Sequence, residues 1–173
     1  QQEITKDREN TQKKKMNKEI KERQQKKEQC LLQKSLLLAQ ISLDQALNGT
    51  DMQIINECLI LQQESYQNFG LLHNKKNFKH VIALNLKKVN PVMFFNVKTL
   101  ETAIMPEVEE IQDGSLVESV PKGSFCQTQL KNCYFPKLKA VGAFAFQNCK
   151  VEFLDQTNFP SLLTVGEAGF SGC

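Results

Sequence analysis

Six cysteines and two histidines carry the most reactive side chains of this 173-residue chain, and their spacing decides which chemistry is open to them. Cys30, Cys58, Cys126, Cys133, Cys149 and Cys173 form no C-x-x-C pair, and neither His73 nor His80 lies near a cysteine in sequence. Zinc sites normally need tighter ligand spacing than this, so no metal is expected. The sequence also has no Gly-rich phosphate loop, no Gly-x-Ser-x-Gly elbow and no metal-type histidine pair. The acidic run Glu107, Glu109, Glu110 and Asp113 falls on a segment read as a loop, where it forms a solvated edge. The expectation is a chain that is not an enzyme, with no cofactor and no small-molecule substrate. The thiols are read as small buried hydrophobes; disulfides stay open for an exported protein.

Three other stretches bear on function. Asn48-Gly49-Thr50 matches a glycosylation acceptor, but also reads as a turn followed by a helix cap. His73, Lys75, Lys76, Lys79 and His80 form a local basic patch, read as a solvated linker. Residues 1–29 hold ten Lys or Arg and six Asp or Glu, so they carry all the positive excess of a chain whose net charge is +3. Nucleic acid is disfavoured as a partner of this arm, because its glutamates weaken the field and no aromatic residue offers a stacking face.

The elements that must position these residues divide the chain. Residues 1–29 read as a basic polar helix or a disordered arm, rich in good helix formers with Lys and Glu one turn apart. Residues 30–70 read as a helical hairpin. Leu32, Leu36, Ala39, Leu43 and Leu47 make a helical stripe, and Gly49 is a stop signal in the left-handed conformation. Thr50 to Gln53 reads as a capping box for a second helix carrying Met52, Ile55, Leu59 and Tyr66; Cys58–Leu61 is alternatively a strand. No run approaches the roughly 18 apolar residues of a membrane span, and the start lacks the apolar centre of a signal peptide. The chain begins at Gln1 and stops inside a repeat at Cys173, as expected of a fragment. The compartment stays open between cytoplasm and cell surface.

From residue 78 the chain repeats itself. FPKLKAVGAFAFQNC at 135–149 recurs as FPSLLTVGEAGFSGC at 159–173, an offset of 24 residues. The apolar positions match and the polar ones vary, as stacked units require. Met105-Pro106, Val120 to Phe125, and Val89 to Phe94 are looser copies, with about six extra residues placed within 112–122. Leu100 to Pro106 and Leu130 to Pro136 share an L-x-x-Φ-x-Φ-P pattern, which suggests a short strand ended by proline. A small residue two positions before each repeated Phe is read as permitting a tight bend.

These motifs, clearest in Ala143–Cys149 and Ala168–Cys173, resemble the BspA-type leucine-rich repeat. The resemblance implies an α+β fold: a leucine-rich repeat solenoid of about four units over 78–173, preceded by an N-terminal helical segment. Leu31–Leu47 is the expected cap of its open end. It further implies a non-catalytic protein-recognition module, in a family that includes surface and adhesion proteins. The ligand is then a protein of unknown identity, met by the outward strand positions Thr102, Ile104, Asn132, Tyr134, Phe153 and Asp155. Two alternatives remain: a scaffold that self-associates through the leading helix, and a nucleic-acid binder using the basic arm.

Overall fold

The computed structural model describes residues 2–67, 72, 77–117, 120–152, 154 and 158–173. Helices α1 (Gln2–Leu38) and α2 (Leu43–Asn48) come first. Short strands follow: β1 (Ile54–Ile55), β2 (Cys58–Ile60), β3 (His80–Ile82), β4 (Lys88–Val89), β5 (Thr102–Ile104) and β6 (Glu110–Ile111). The remainder are β7 (Ser115–Val117), β8 (Val120–Lys122), β9 (Asn132–Tyr134), β10 (Ala140–Val141) and β11 (Thr164–Val165). One sheet has the order β1-β2-β3-β5-β9, another β11-β10-β6-β4, and β7 and β8 pair with each other. Pairing is parallel throughout, except in the β1–β2 and β7–β8 hairpins.

This corrects the expected fold class. The chain is not the α+β leucine-rich repeat solenoid read from its sequence. It is an α/β-like arrangement of one long helix and mixed sheets dominated by parallel strands, and no solenoid is indicated. The expected helical hairpin over 30–70 is corrected as well. α1 runs unbroken across residue 30 and ends where Gln40 turns left-handed, at φ 51°. Leu32, Leu36 and Ala39 keep their buried side, but Leu43 and Leu47 fall beyond the break and are exposed. The proposed second helix is a β-hairpin, because Leu59 and Leu61 join one core while Cys58 and Ile60 join another on the opposite face. That is a period of two rather than 3.6. Gly49 is extended, with φ −63°. A side chain there would meet Ile60 Cδ1 at 2.6 Å and the Gln45 carbonyl at 2.7 Å, so close approach is what requires glycine.

The 24-residue repeat appears as pairing register. Ala140 sits beside Thr164 and Val141 beside Val165, with Glu110 and Ile111 on the other side. The Val120 alignment is thereby corrected to Ile111. The extra residues before Phe125 form the β7–β8 hairpin, which loops out of the ladder. Inside, Phe94, Phe125, Phe146 and Phe170 stack with centroids 5.0, 5.1 and 4.8 Å apart, their planes inclined by 9°, 6° and 3°. Phe135 and Phe159 form a second column, edge-on to the first. The bend is left-handed before Phe94, Phe146 and Phe170, with φ 55° at Val92, 57° at Phe144 and 50° at Ala168, but not at Gly123 before Phe125. A small side chain is therefore not its condition.

Outside, charge alternates from rung to rung. Glu57, Lys79, Glu101 and Lys131 form one line, with Lys79–Glu57 at 2.8 Å and Lys131–Glu101 at 3.0 Å. Glu64, Lys87, Glu109 and Lys139 form another, with Lys87–Glu64 at 2.7 Å and Lys139–Glu109 at 2.6 Å. Cross-strand pairs of opposite sign favour this register and like charges oppose any other, although each exposed pair contributes little alone.

The ring column makes a stability order that can be measured. Phe146 is fully buried between two stacked partners, so Phe146→Ala is expected to destabilise by about 3–5 kcal/mol in urea unfolding. Phe170 is half-buried, so Phe170→Ala should lose no more than about 1–2 kcal/mol. Equal losses would contradict the stack as the core.

Candidate functional site

In the first ladder, side chains alternate between two faces. Leu59, Val81, Ala103 and the half-buried Cys133 join the aromatic core. Ile60, Ile82, Ile104 and Tyr134 form a row on the other face, beside the row Cys58, His80, Thr102 and Asn132. Thr102, Ile104, Asn132 and Tyr134 thus share the face away from the core, as their spacing implies. Most of that face is not open to a partner. Helix α1 covers it, leaving Thr102 1%, Ile104 0% and Tyr134 7% exposed. The physical reason lies in two apolar stripes that satisfy each other. Leu31, Leu32, Leu36 and Ala39 pack on the isoleucine row, and the Tyr134 hydroxyl donates to the Glu28 carbonyl at 2.8 Å. Burial, helped by the Glu28 charge, pushes the Tyr134 phenol up to about 12. Of the contact residues expected from the sequence, Thr102 and Ile104 are closed off by the helix, Tyr134 keeps only an edge exposed, and Asn132 stays half-exposed. Phe153 and Asp155 lie outside the described residues, as do His73, Lys75 and Lys76 of the expected basic patch.

Where α1 meets the ladder it leaves a cleft of about 340 Å³, lined by Leu31, Lys34, Leu38, Asn132, Tyr134 and Glu152 among others. Its lining mixes apolar side chains with Lys34, Lys131, Asn132 and the Glu152 carboxylate. Asn132 and Tyr134, two of the sequence-based candidates, are brought together there.

Deeper along the same face lies a polar strip. Among the described residues, neither the Nδ1 of His80 nor the Oγ1 of its neighbour Thr102 finds a hydrogen-bond partner. Burial holds His80 below its ordinary value of 6.5, despite the opposing charges of Glu101 and Glu57. Burial also pushes the Cys58 thiol up to about 12, so it is no nucleophile near neutral pH. At the other end of the ladder, burial alone would raise Asp51. Hydrogen bonds from the Gln62 amide, Tyr66 and Gln63 outweigh it and lower the carboxyl. This carboxylate ties the start of the ladder to the segment after α2.

All six cysteines are free thiols. The reading of them as small hydrophobes is incomplete, since Cys149 Sγ donates to the Phe125 carbonyl and Cys173 Sγ to the Phe146 carbonyl, each at 3.0 Å. Thr128 fills the preceding position and also donates to the Phe125 carbonyl, at 2.9 Å. In the last three rungs the residue at this position is therefore a small hydrogen-bond donor, whereas Val97, in the same place after Phe94, is purely apolar. Among the described residues, no three His, Cys, Asp or Glu side chains gather as a metal site, and no helix is long and apolar enough to cross a membrane. No protein-family model, curated protein or solved structure matches the chain.

Two features escaped the sequence reading. One is the cover by α1, whose signal was the isoleucine row itself: apolar residues pointing away from an already filled core need a lid. The other is an earlier rung at β2, legible in the 22-residue offset between Cys58-Leu-Ile-Leu and His80-Val-Ile-Ala.

Tyr134→Phe removes one hydroxyl and leaves the ring. It is expected to lower stability by about 1 kcal/mol and to speed amide exchange over residues 28–38; unchanged exchange there would show that the bond does not hold the helix. His80 gives a pH signature. The folded state disfavours the charged ring, so the unfolded chain binds more protons once pH falls below 6.5. Stability from this group is complete above that value and declines below it. Urea midpoints should therefore drop between pH 7 and 5.5 in the native chain, and drop less in His80→Gln.

Proposed function

We propose that the chain is a non-catalytic protein-recognition module, and that its partner seats in the cleft between α1 and β9. The observation that carries this reading is the lining of that cleft. Leu31, Leu38 and Tyr134 offer apolar contact, while Lys34, Asn132 and Glu152 supply directional polar groups at the edge. Apolar side chains ringed by polar groups are the general anatomy of a protein interface. Tyr134 adds a large ring whose position is already fixed by its bond to Glu28, so little entropy is lost on contact. The buried thiol of Cys58 and phenol of Tyr134 are shifted away from reactive values, which supports binding rather than catalysis. Protein is the ligand class this reading takes.

The test is a selection of displayed peptides against the whole chain, followed by substitution of the cleft rim. Lys34→Glu and Asn132→Ala are both at accessible positions and should leave thermal unfolding unchanged. Each is expected to weaken the selected peptides at least tenfold, on the order of the loss of one good polar contact. Peptides that bind equally well to both variants would reject the cleft as the site.

A scaffold role through α1 is the second reading, favoured by Met16 and Ile20, which are exposed one turn apart at 55% and 54%. Sedimentation of the full chain against a chain lacking residues 1–27 separates the two. The recognition reading expects a monomer in both cases, whereas loss of self-association on truncation would support the scaffold.

A further inference from the structure

Charge in this molecule is segregated in a way that composition conceals. On the sheets, Lys79, Lys87, Lys88, Lys131, Lys137 and Lys139 each hold a glutamate at 2.6–3.0 Å. On α1 the reverse holds. Residues 12–28 contain eight Lys or Arg against three Glu. The ion pair described within this stretch, Lys18–Glu22, is long at 4.0 Å. Every residue from 12 to 27 is exposed. Sixteen helical residues span about 24 Å, so the molecule carries a solvated cationic rod beside sheets on which six lysines are already paired.

The distribution around the rod selects the partner. At roughly 100° per residue, Lys14, Lys18 and Lys21 follow one side, and Arg23, Lys26 and Lys27 lie across the axis. Cationic side chains therefore point in opposite directions from one helix. A membrane surface is planar and meets one side only, and a surface-bound helix needs an apolar face for the acyl boundary. Here that face reduces to Met16 and Ile20. A groove with negative walls on both sides matches instead. The major groove of duplex DNA is about 12 Å wide and admits one helix of about 10–12 Å diameter, with phosphates along both edges. The sequence alone disfavoured nucleic acid on account of the interleaved glutamates. Two carboxylates against eight cations over the exposed length, residues 12–27, leave a net of +6 (8 − 2), and contacts to phosphate need no aromatic platform.

We propose that the exposed half of α1 is a phosphate-contacting element that binds duplex nucleic acid through its backbone, without sequence readout. This surface is separate from the cleft, so either can fail without the other.

The test is fluorescence anisotropy of the full chain with a labelled mixed-sequence DNA duplex, across a salt series. With four or more phosphates contacted, affinity is expected to fall roughly a hundredfold between about 50 and 200 mM KCl. The triple variant Lys14→Gln, Lys18→Gln, Lys21→Gln keeps helix propensity, which circular dichroism checks. It should bind at least tenfold more weakly, with a shallower salt slope. Lys137→Gln, already paired with Glu107, should bind as the native chain does. Failure to bind at the lowest salt, binding indifferent to salt, or stronger binding to phosphatidylserine vesicles than to the duplex would each overturn the proposal.

Discussion

The structure depends on a match between two spacings. Neighbouring strands lie about 4.8 Å apart along their hydrogen bonds, and the rings of Phe94, Phe125, Phe146 and Phe170 stack at 4.8–5.1 Å. Backbone and aromatic core therefore repeat at nearly one pitch, and each rung satisfies both at once. Chain length between rungs is then free to vary. The rings are separated by 31, 21 and 24 residues, and the surplus before Phe125 leaves the ladder as the β7–β8 hairpin. Where rungs approach most closely, backbone meets backbone: a side chain at Gly123 would collide with the Phe144 carbonyl of the next rung.

Helix α1 follows from the same arrangement. Strands of two or three residues have two faces, and the aromatic columns fill only one of them. The other presents the isoleucine row and Tyr134, which would form an exposed apolar strip without a cover. The last turns of α1 supply that cover through Leu31, Leu32, Leu36 and Ala39. Its exposed residues have no such duty. One continuous helix thus has two halves under different physical demands, one chosen for packing and one for charge.

This division explains which parts of the fold could be read from the sequence. The Phe-Pro phrases disclosed the register of β10 and β11, since identical apolar residues at fixed offset must occupy equivalent places. The pattern ending at Pro106 and Pro136 located β5 and β9. The class of fold was misread, because a repeat reports local register and says nothing of the helix laid across it. The second predicted helix failed because Met52, Ile55 and Leu59 fit a helical period over too short a window to exclude a strand. The contact residues were placed on the correct face but judged open, because sequence offers no sign of what lies above a strand.

The alternating charges on the outer rungs carry information of another kind. Glu57, Lys79, Glu101 and Lys131 change sign at every step, and so do Glu64, Lys87, Glu109 and Lys139. Excising the segment that bears Lys79 and Lys87 would bring Glu57 against Glu101 and Glu64 against Glu109, two repulsions at one seam. Excising two adjacent segments would restore opposite signs. The surface therefore records the parity of its own copies, and a gene lengthening or shortening this array meets less electrostatic resistance in even steps than in odd ones.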